Sequence, residues 1–203
     1  MASQEPLRIL SLDGDGIYGL SILLILEDIM EKIREEKKLR VLYPPRPCEY
    51  FDLIGGTSTG GTTAIMLGML GMTINECMQA YREFASQVFT RESTSNSTMA
   101  IPFGPVFSAG CLEDAIKSTI KKYCPENECK DRRHGDLSTA AACPHQNMPF
   151  RDGTCTKTAV LAMTKGDVDA PPTLFKTYDS SAAFESCSIW EVARATSAAV
   201  GFF

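Results

Sequence analysis

The stretch from Tyr50 to Leu67, YFDLIGGTSTGGTTAIML, constrains the fold more than any other part of the chain. Tyr50, Phe51, Leu53 and Ile54 read as a short buried strand that breaks into glycines and resumes as an apolar helix, with Ser58 at the tip of the turn. Gly56-Thr57-Ser58-Thr59-Gly60 fits G-x-S-x-G, the pattern of a nucleophile elbow, in which flanking glycines permit a tight, strained strand-to-helix turn. A helix that begins just after Ser58 aims backbone N–H groups and the positive end of its dipole at that serine, which favours an anionic intermediate there. Such a turn belongs in a sheet covered by helices, so the rest of the chain has to supply both.

Read in order, it does. Leu7 to Leu12 (LRILSL) is a strand, and Asp13-Gly14-Asp15-Gly16-Ile17-Tyr18-Gly19 is a glycine-rich loop opening a long helix. Ile22, Leu26, Ile29 and Ile33 recur at helical spacing and predict its buried face, while the mixed charges from Glu31 to Lys38 solvate the other. Pro44, Pro45 and Pro47 end regular structure and deliver the chain to the strand before Ser58. Thr73-Ile74-Asn75-Glu76 has the capping-box pattern, followed by an amphipathic helix on Ile74, Met78, Tyr81, Phe84 and Val88. Residues 91–110 read as a surface loop that crosses the mouth of a site, and Cys111 to Tyr123 as a further helix. Thr158 to Thr164 is a buried strand, Leu174 to Tyr178 is extended, and Ser188 to Ala199 is a helix whose small residues permit close packing. Strands alternating with helices imply an α/β layered domain with a largely parallel sheet.

The 203 residues, 44% of them hydrophobic, suit one globular domain over 1–203. A net charge of -5, with no basic cluster backed by aromatics, argues against nucleic acid. The longest apolar run, Ile22 to Leu26, is far short of a membrane span, and the first residues lack a signal-peptide pattern. The expected location is the cytoplasm, and most of the eight cysteines, Cys77, Cys111 and Cys187 among them, are expected as reduced, buried thiols. Cys124 to Gly153 reads as an irregular insertion that holds Cys124, Cys129, His134, Cys143 and His145, with Cys155 just beyond it. With no C-x-x-C and no H-x-x-x-H pair, the spacing weighs against zinc, so the reading is a surface insertion, with no metal and no cofactor.

The loop at Asp13 admits two readings. Its amides sit at the end of an adjacent strand, where they can serve a developing oxyanion beside Ser58. Gly14, Gly16 and Gly19 also satisfy G-x-G-x-x-G, a dinucleotide fingerprint. That alternative lacks the acidic residue expected about 20 residues on, places the Asp15 carboxylate where a pyrophosphate would lie, and leaves Ser58 unexplained.

Strand-D-G-x-G-x-x-G-helix near the start, FDLIGGTSTGG after it and WEVARATSAA near the end resemble, in that order, the patatin-like phospholipase family, and its intracellular fungal-type members in particular. The resemblance covers Leu7 to Phe203 apart from the insertion. It implies a three-layer α/β/α fold and a Ser-Asp dyad that hydrolyses acyl esters of phospholipids or acylglycerols in lipid catabolism or signalling. Carried over, Ser58 is the nucleophile, Gly14, Asp15 and Gly16 line the oxyanion hole, and Gly56, Thr57, Thr59 and Gly60 frame the elbow. Partners implied are the lipid substrate, transient contact with a membrane surface, and regulatory domains downstream in a longer parent protein.

The chain departs from the family pattern in three places. The family's loop is D-G-G-G-x-R-G, whereas Asp15 and Tyr18 stand here at its third and sixth positions. Ala199-Val200 replaces Ala-Pro. The family's catalytic aspartate lies in D-G-G or D-G-A after the A-T-S-A-A-P segment, and neither tripeptide occurs in the 203 residues. The expectation is therefore a C-terminally incomplete domain. The alternative, favoured by the same departures, is a catalytically inactive patatin-like module that binds lipid or a protein partner.

Overall fold

A computed structural model describes residues 6–14, 16, 19–39, 43–88, 108–126, 129, 143, 145–150, 156–164, 169–178 and 186–198. Asp15, Tyr18, His134, Asp152, Gly153, Cys155, Ala199 and Val200 lie outside them, as does most of the loop expected over 91–110.

Four strands form one sheet in the order β1 (Ile9–Leu12), β2 (Leu53–Thr57), β3 (Lys157–Ala162) and β4 (Thr173–Lys176). The first three are parallel and β4 runs antiparallel to β3, so the α/β class with a mostly parallel sheet is what the chain builds. Register puts Leu10 beside Ile54 and Leu12 beside Gly56, then Ile54 beside Thr158 and Gly56 beside Val160, with Phe175 opposite Val160. Because side chains alternate across a strand, these residues share one face, and Leu12, Ile54, Thr158, Val160 and Phe175 are buried on it. The opposite face carries Ile9, Leu53, Ala159 and Leu161 and borders an open groove among the described residues. Arg8 locks the start of the β1–β2 register. Its backbone N–H donates to the Asp52 carboxylate at 2.8 Å, and its guanidinium pairs with the same group at 3.1 Å.

The helices are α1 (Gly19–Glu36), α2 (Pro47–Tyr50), α3 (Thr59–Ala64), α4 (Ile74–Val88), α5 (Ala109–Lys122) and α6 (Ile189–Thr196). Three ends follow the sequence closely. Thr73 and Glu76 exchange the two capping-box hydrogen bonds at the start of α4, and Ser188 and Glu191 do so at α6. Ser108 caps α5. All five residues expected on the apolar face of α4 are buried. After Ala64 the elbow helix widens into one π turn over Ile65–Met69, a wholly buried stretch.

Three local expectations are corrected. Tyr50 belongs to a helical turn rather than to the strand: Pro47, with its φ already helical and no N–H to satisfy, starts α2, and Phe51 N–H closes the turn on the Pro47 carbonyl at 2.9 Å. Of the face expected on α1, Leu26 is buried and Ile22 and Ile33 pack half-buried on the core, but Ile29 is 43% exposed, and Gly19, Leu23 and Met30 complete the buried stripe. With apolar residues at every position from Ile22 to Leu26, two stripes satisfy the helical period, and the contact with α4 selects one. Cys111, expected buried, is exposed, because α5 turns Leu112, Ala115, Ile116 and Ile120 inward instead.

Candidate active site

Ser58 sits between the last residue of β2 and the first of α3 with φ 54 and ψ -129. Only one other described non-glycine residue, Lys38, has a positive φ. A side chain held in that region costs about 1–3 kcal/mol and persists only where the surroundings hold it. Three sets of contacts do so.

The first is the loop after β1. A methyl group at Gly14 would stand 2.5 Å from Ser58 Cβ and 2.8 Å from the Thr57 carbonyl oxygen, so only a bare backbone fits against the serine. From the other side, a Cβ at Gly60 would meet the Leu12 and Asp13 carbonyls at 2.3 and 2.4 Å. The two strand ends are therefore pressed together through glycine. The Gly16 N–H donates to Thr59 Oγ1 at 3.1 Å, and the Tyr81 hydroxyl donates to the Gly16 carbonyl.

The second is the end of α6. Ser58 N–H donates to Thr196 Oγ1 at 2.7 Å, and the Thr196 hydroxyl donates in turn to the Leu161 carbonyl at 2.6 Å. One side chain thereby ties the elbow, β3 and α6 together. Beside it, Thr62 Oγ1 and Ser197 Oγ lie 3.2 Å apart. The Ser188 backbone and hydroxyl hold the Glu191 carboxyl below its ordinary range, so the first turn of the short helix that delivers Thr196 is well fixed.

The third is the core beneath the elbow. Gly60, Gly61, Thr63 and Ala64 are buried, and Thr63 Oγ1 donates to the Thr59 carbonyl at 2.9 Å. An apolar cavity lies along this helix, bounded by Thr59, Thr62, Ile65, Met66, Phe84 and Ile116.

The sequence-predicted residues thus come together at one point: Ser58 at the tip, Gly56, Thr57, Thr59 and Gly60 around it, and Gly14 against its side. Gly16 reaches the same place through Thr59. The sequence reading took the WEVARATSAA segment as tightly packed without seeing that Thr196 would bond the elbow, and it missed Tyr81. Of the glycines of the dinucleotide alternative, Gly14 abuts Ser58 and Gly19 the Tyr81 ring, while a Cβ at Gly16 would meet nothing within 4 Å. Among the described residues no carboxylate or imidazole hydrogen-bonds Ser58 Oγ. His145 lies instead in a cluster of cysteines.

A mostly parallel sheet that presents a strained serine in a tight strand-to-helix turn, with a second strand-end loop pressed on it, defines the class as an α/β protein. The patatin-like phospholipase family model matches residues 10–203, and the chain belongs to that family. Human calcium-independent phospholipase A2-gamma is 27% identical over 205 residues, a match covering 97% of this chain and 22% of the human protein. Phospholipase A I of Arabidopsis thaliana is 28% identical over 194 residues, covering 86% of this chain and 13% of the plant protein. The cGAMP-activated phospholipase of Vibrio cholerae is 31% identical over 135 residues, 64% of this chain and 37% of the bacterial one. The chain therefore spans well under half the length of these relatives. No helix among the described residues is long and apolar enough to cross a membrane.

Proposed function

We propose that this chain carries the nucleophile-bearing part of a serine lipid acyl hydrolase acting on phospholipid or acylglycerol. The observation that carries the proposal is the backbone of Ser58, held at φ 54 between a strand and a helix with Gly14 packed against it. Ser58 Oγ gives its proton to the base and attacks the ester carbonyl, the ester C–O bond breaks and the alcohol leaves with that proton, and water then hydrolyses the acyl-enzyme to the fatty acid and free Ser58. The α3 dipole and the backbone of the loop containing Gly14, Asp15 and Gly16 stabilise the oxyanion. In the structure the Gly16 amide is turned to Thr59 Oγ1, so its service to an oxyanion requires that bond to be exchanged on substrate binding. The base is an aspartate that the family resemblance places after the A-T-S-A segment, so the activity belongs to a chain carrying D-G-G or D-G-A there. The enzyme meets its substrate at a membrane surface from the cytosol.

The test is fatty-acid release from phospholipid vesicles and from a p-nitrophenyl ester by a chain that carries the aspartate. Ser58→Ala is expected to lower release by about 10³-fold or more, in line with loss of a serine nucleophile elsewhere. Release unchanged by Ser58→Ala overturns the assignment.

The Asp15 carboxylate in the oxyanion loop and the engaged Gly16 amide favour one second reading, a catalytically inactive module that binds lipid or a protein partner. A fluorophosphonate probe separates the two in a chain with the aspartate: it labels an activated Ser58 and leaves an inactive module unlabelled while vesicle binding persists.

A further inference from the structure

Away from Ser58, four side chains converge whose residue types are metal ligands. Cys124 follows the last turn of α5, Cys129 lies a few residues on, and Cys143 and His145 come from the far end of the insertion. The three sulfurs and an imidazole nitrogen all lie within 4.8 Å of one another. His145 Nδ1 stands 3.5 Å from Cys124 Sγ, 3.3 Å from Cys129 Sγ and 3.7 Å from Cys143 Sγ, while the Cys129 and Cys143 sulfurs are 3.5 Å apart.

The sulfur–nitrogen distances match a specific object. A tetrahedral zinc ion with bonds of about 2.3 Å to sulfur and about 2.05 Å to nitrogen requires S···N edges of about 3.5 Å and S···S edges of about 3.8 Å. The three S···N separations average that value. At 3.5 Å the Cys129 and Cys143 sulfurs stand unbonded to each other. Ordinary packing explains buried thiols, since cysteine behaves as a small hydrophobe. It gives no reason for one imidazole nitrogen to stand almost equidistant from three sulfurs. Among the described residues the cluster stands apart from the main core, with Met148 as its one apolar neighbour.

We propose that Cys124, Cys129, Cys143 and His145 form a structural zinc site of the closed Cys₃His type. Zn²⁺ takes three thiolates and the neutral His145 Nδ1, and the three thiol protons pass to solvent. Four protein ligands leave no open position, so the ion is a staple and takes no part in ester chemistry. The spacing Cys-x₄-Cys-x₁₃-Cys-x-His weighed against a metal when read along the chain, because it has no close pair of the familiar kind. The fold provides the proximity instead. The staple joins the end of α5 to the segment from His145 to Phe150. That segment docks on α6, with Ile189 N–H bonded to the Met148 carbonyl at 2.9 Å and Phe150 N–H to the Cys187 carbonyl at 2.8 Å. Because α6 ends at Thr196, which bonds Ser58 N–H, the zinc would brace the elbow from a distance.

The test uses the 203-residue chain purified under reducing conditions without chelator, with zinc measured by atomic emission and Co²⁺ exchanged in its place. The expected result is about one zinc per chain and, with Co²⁺, the intense visible bands of a tetrahedral ion with a thiolate charge-transfer band. Cys129→Ser and Cys143→Ser are expected to lower the zinc content at least fivefold, while Cys111→Ser and Cys187→Ser retain it. His145→Cys keeps the metal and shifts the Co²⁺ spectrum toward four sulfurs, which separates ligand loss from failure to fold. Wild-type protein with less than a tenth of an equivalent of zinc and no tetrahedral Co²⁺ spectrum overturns the proposal. A Cys129–Cys143 disulfide, or equal loss of metal in Cys111→Ser, does the same.

Discussion

Thr196 offers the sharpest perturbation of the elbow that leaves the nucleophile in place. Its hydroxyl accepts from Ser58 N–H at 2.7 Å and donates to the Leu161 carbonyl at 2.6 Å, and the residue is buried. Thr196→Val keeps the shape and removes both bonds. Each is worth about 0.5–1.5 kcal/mol net, and an amide stranded away from water adds about 1–3 kcal/mol. The two losses share one side chain and do not simply add, so the expected destabilisation is about 2–4 kcal/mol. Thr196→Ser keeps both bonds and gives up one methyl group beside Gly61, worth about 1 kcal/mol. In urea, with a slope of about 2 kcal/mol/M, the valine variant should unfold about 1–2 M earlier than wild type and the serine variant about 0.5 M earlier. In a chain that carries the aspartate, fluorophosphonate labelling of Ser58 should slow more in the valine variant than in the serine one. A valine variant no less stable than the serine variant refutes the claim that the hydroxyl holds the elbow.

Gly14→Ala places a methyl group 2.5 Å from Ser58 Cβ and should cost about 1–3 kcal/mol, with slower probe labelling of Ser58; equal urea midpoints and labelling rates contradict the packing described. The α1 register predicts that Leu23→Ala, fully buried, loses about 2–5 kcal/mol, whereas Ile25→Ala stays within about 0.5 kcal/mol of wild type; comparable losses in a thermal melt would return the stripe to doubt. Arg8 holds the Asp52 carboxyl below its ordinary range, first through its side-chain hydrogen bond and then through its backbone N–H. A lowered folded-state pKa contributes stability above the unfolded value of about 3.9, and that contribution is lost as pH falls through the folded value. Asp52→Asn should therefore cost stability at neutral pH and progressively less as the solution is acidified below about pH 4, read as converging urea midpoints.

The strand-to-helix turn at Ser58 was legible in the sequence because its code is local: an apolar strand, glycines where backbone must pass close, and an apolar helix. The capping box at Thr73 was legible for the same reason, since it is settled within four residues. What escaped was settled by distant contacts. Thr196 meets Ser58 across 138 positions, and nothing in a threonine near a helix end announces that partner. The centre of the buried stripe of α1, on Leu23, Leu26 and Met30 with Ile29 turned out, needed the packing on α4 to set it. The cysteines and His145 looked like an unpatterned insertion because metal spacing rules describe ligands brought together by short turns, whereas here α5 and α6 bring them together.

The central claim is that the strained turn makes Ser58 the nucleophile, and covalent labelling with a fluorophosphonate followed by peptide mass spectrometry tests it most directly. In a chain carrying the family's aspartate, the account predicts a single phosphonylated site at Ser58, lost in Ser58→Ala and lost on prior unfolding. Equal labelling of Ser58→Ala, or a label on another residue with Ser58 unmodified, contradicts it.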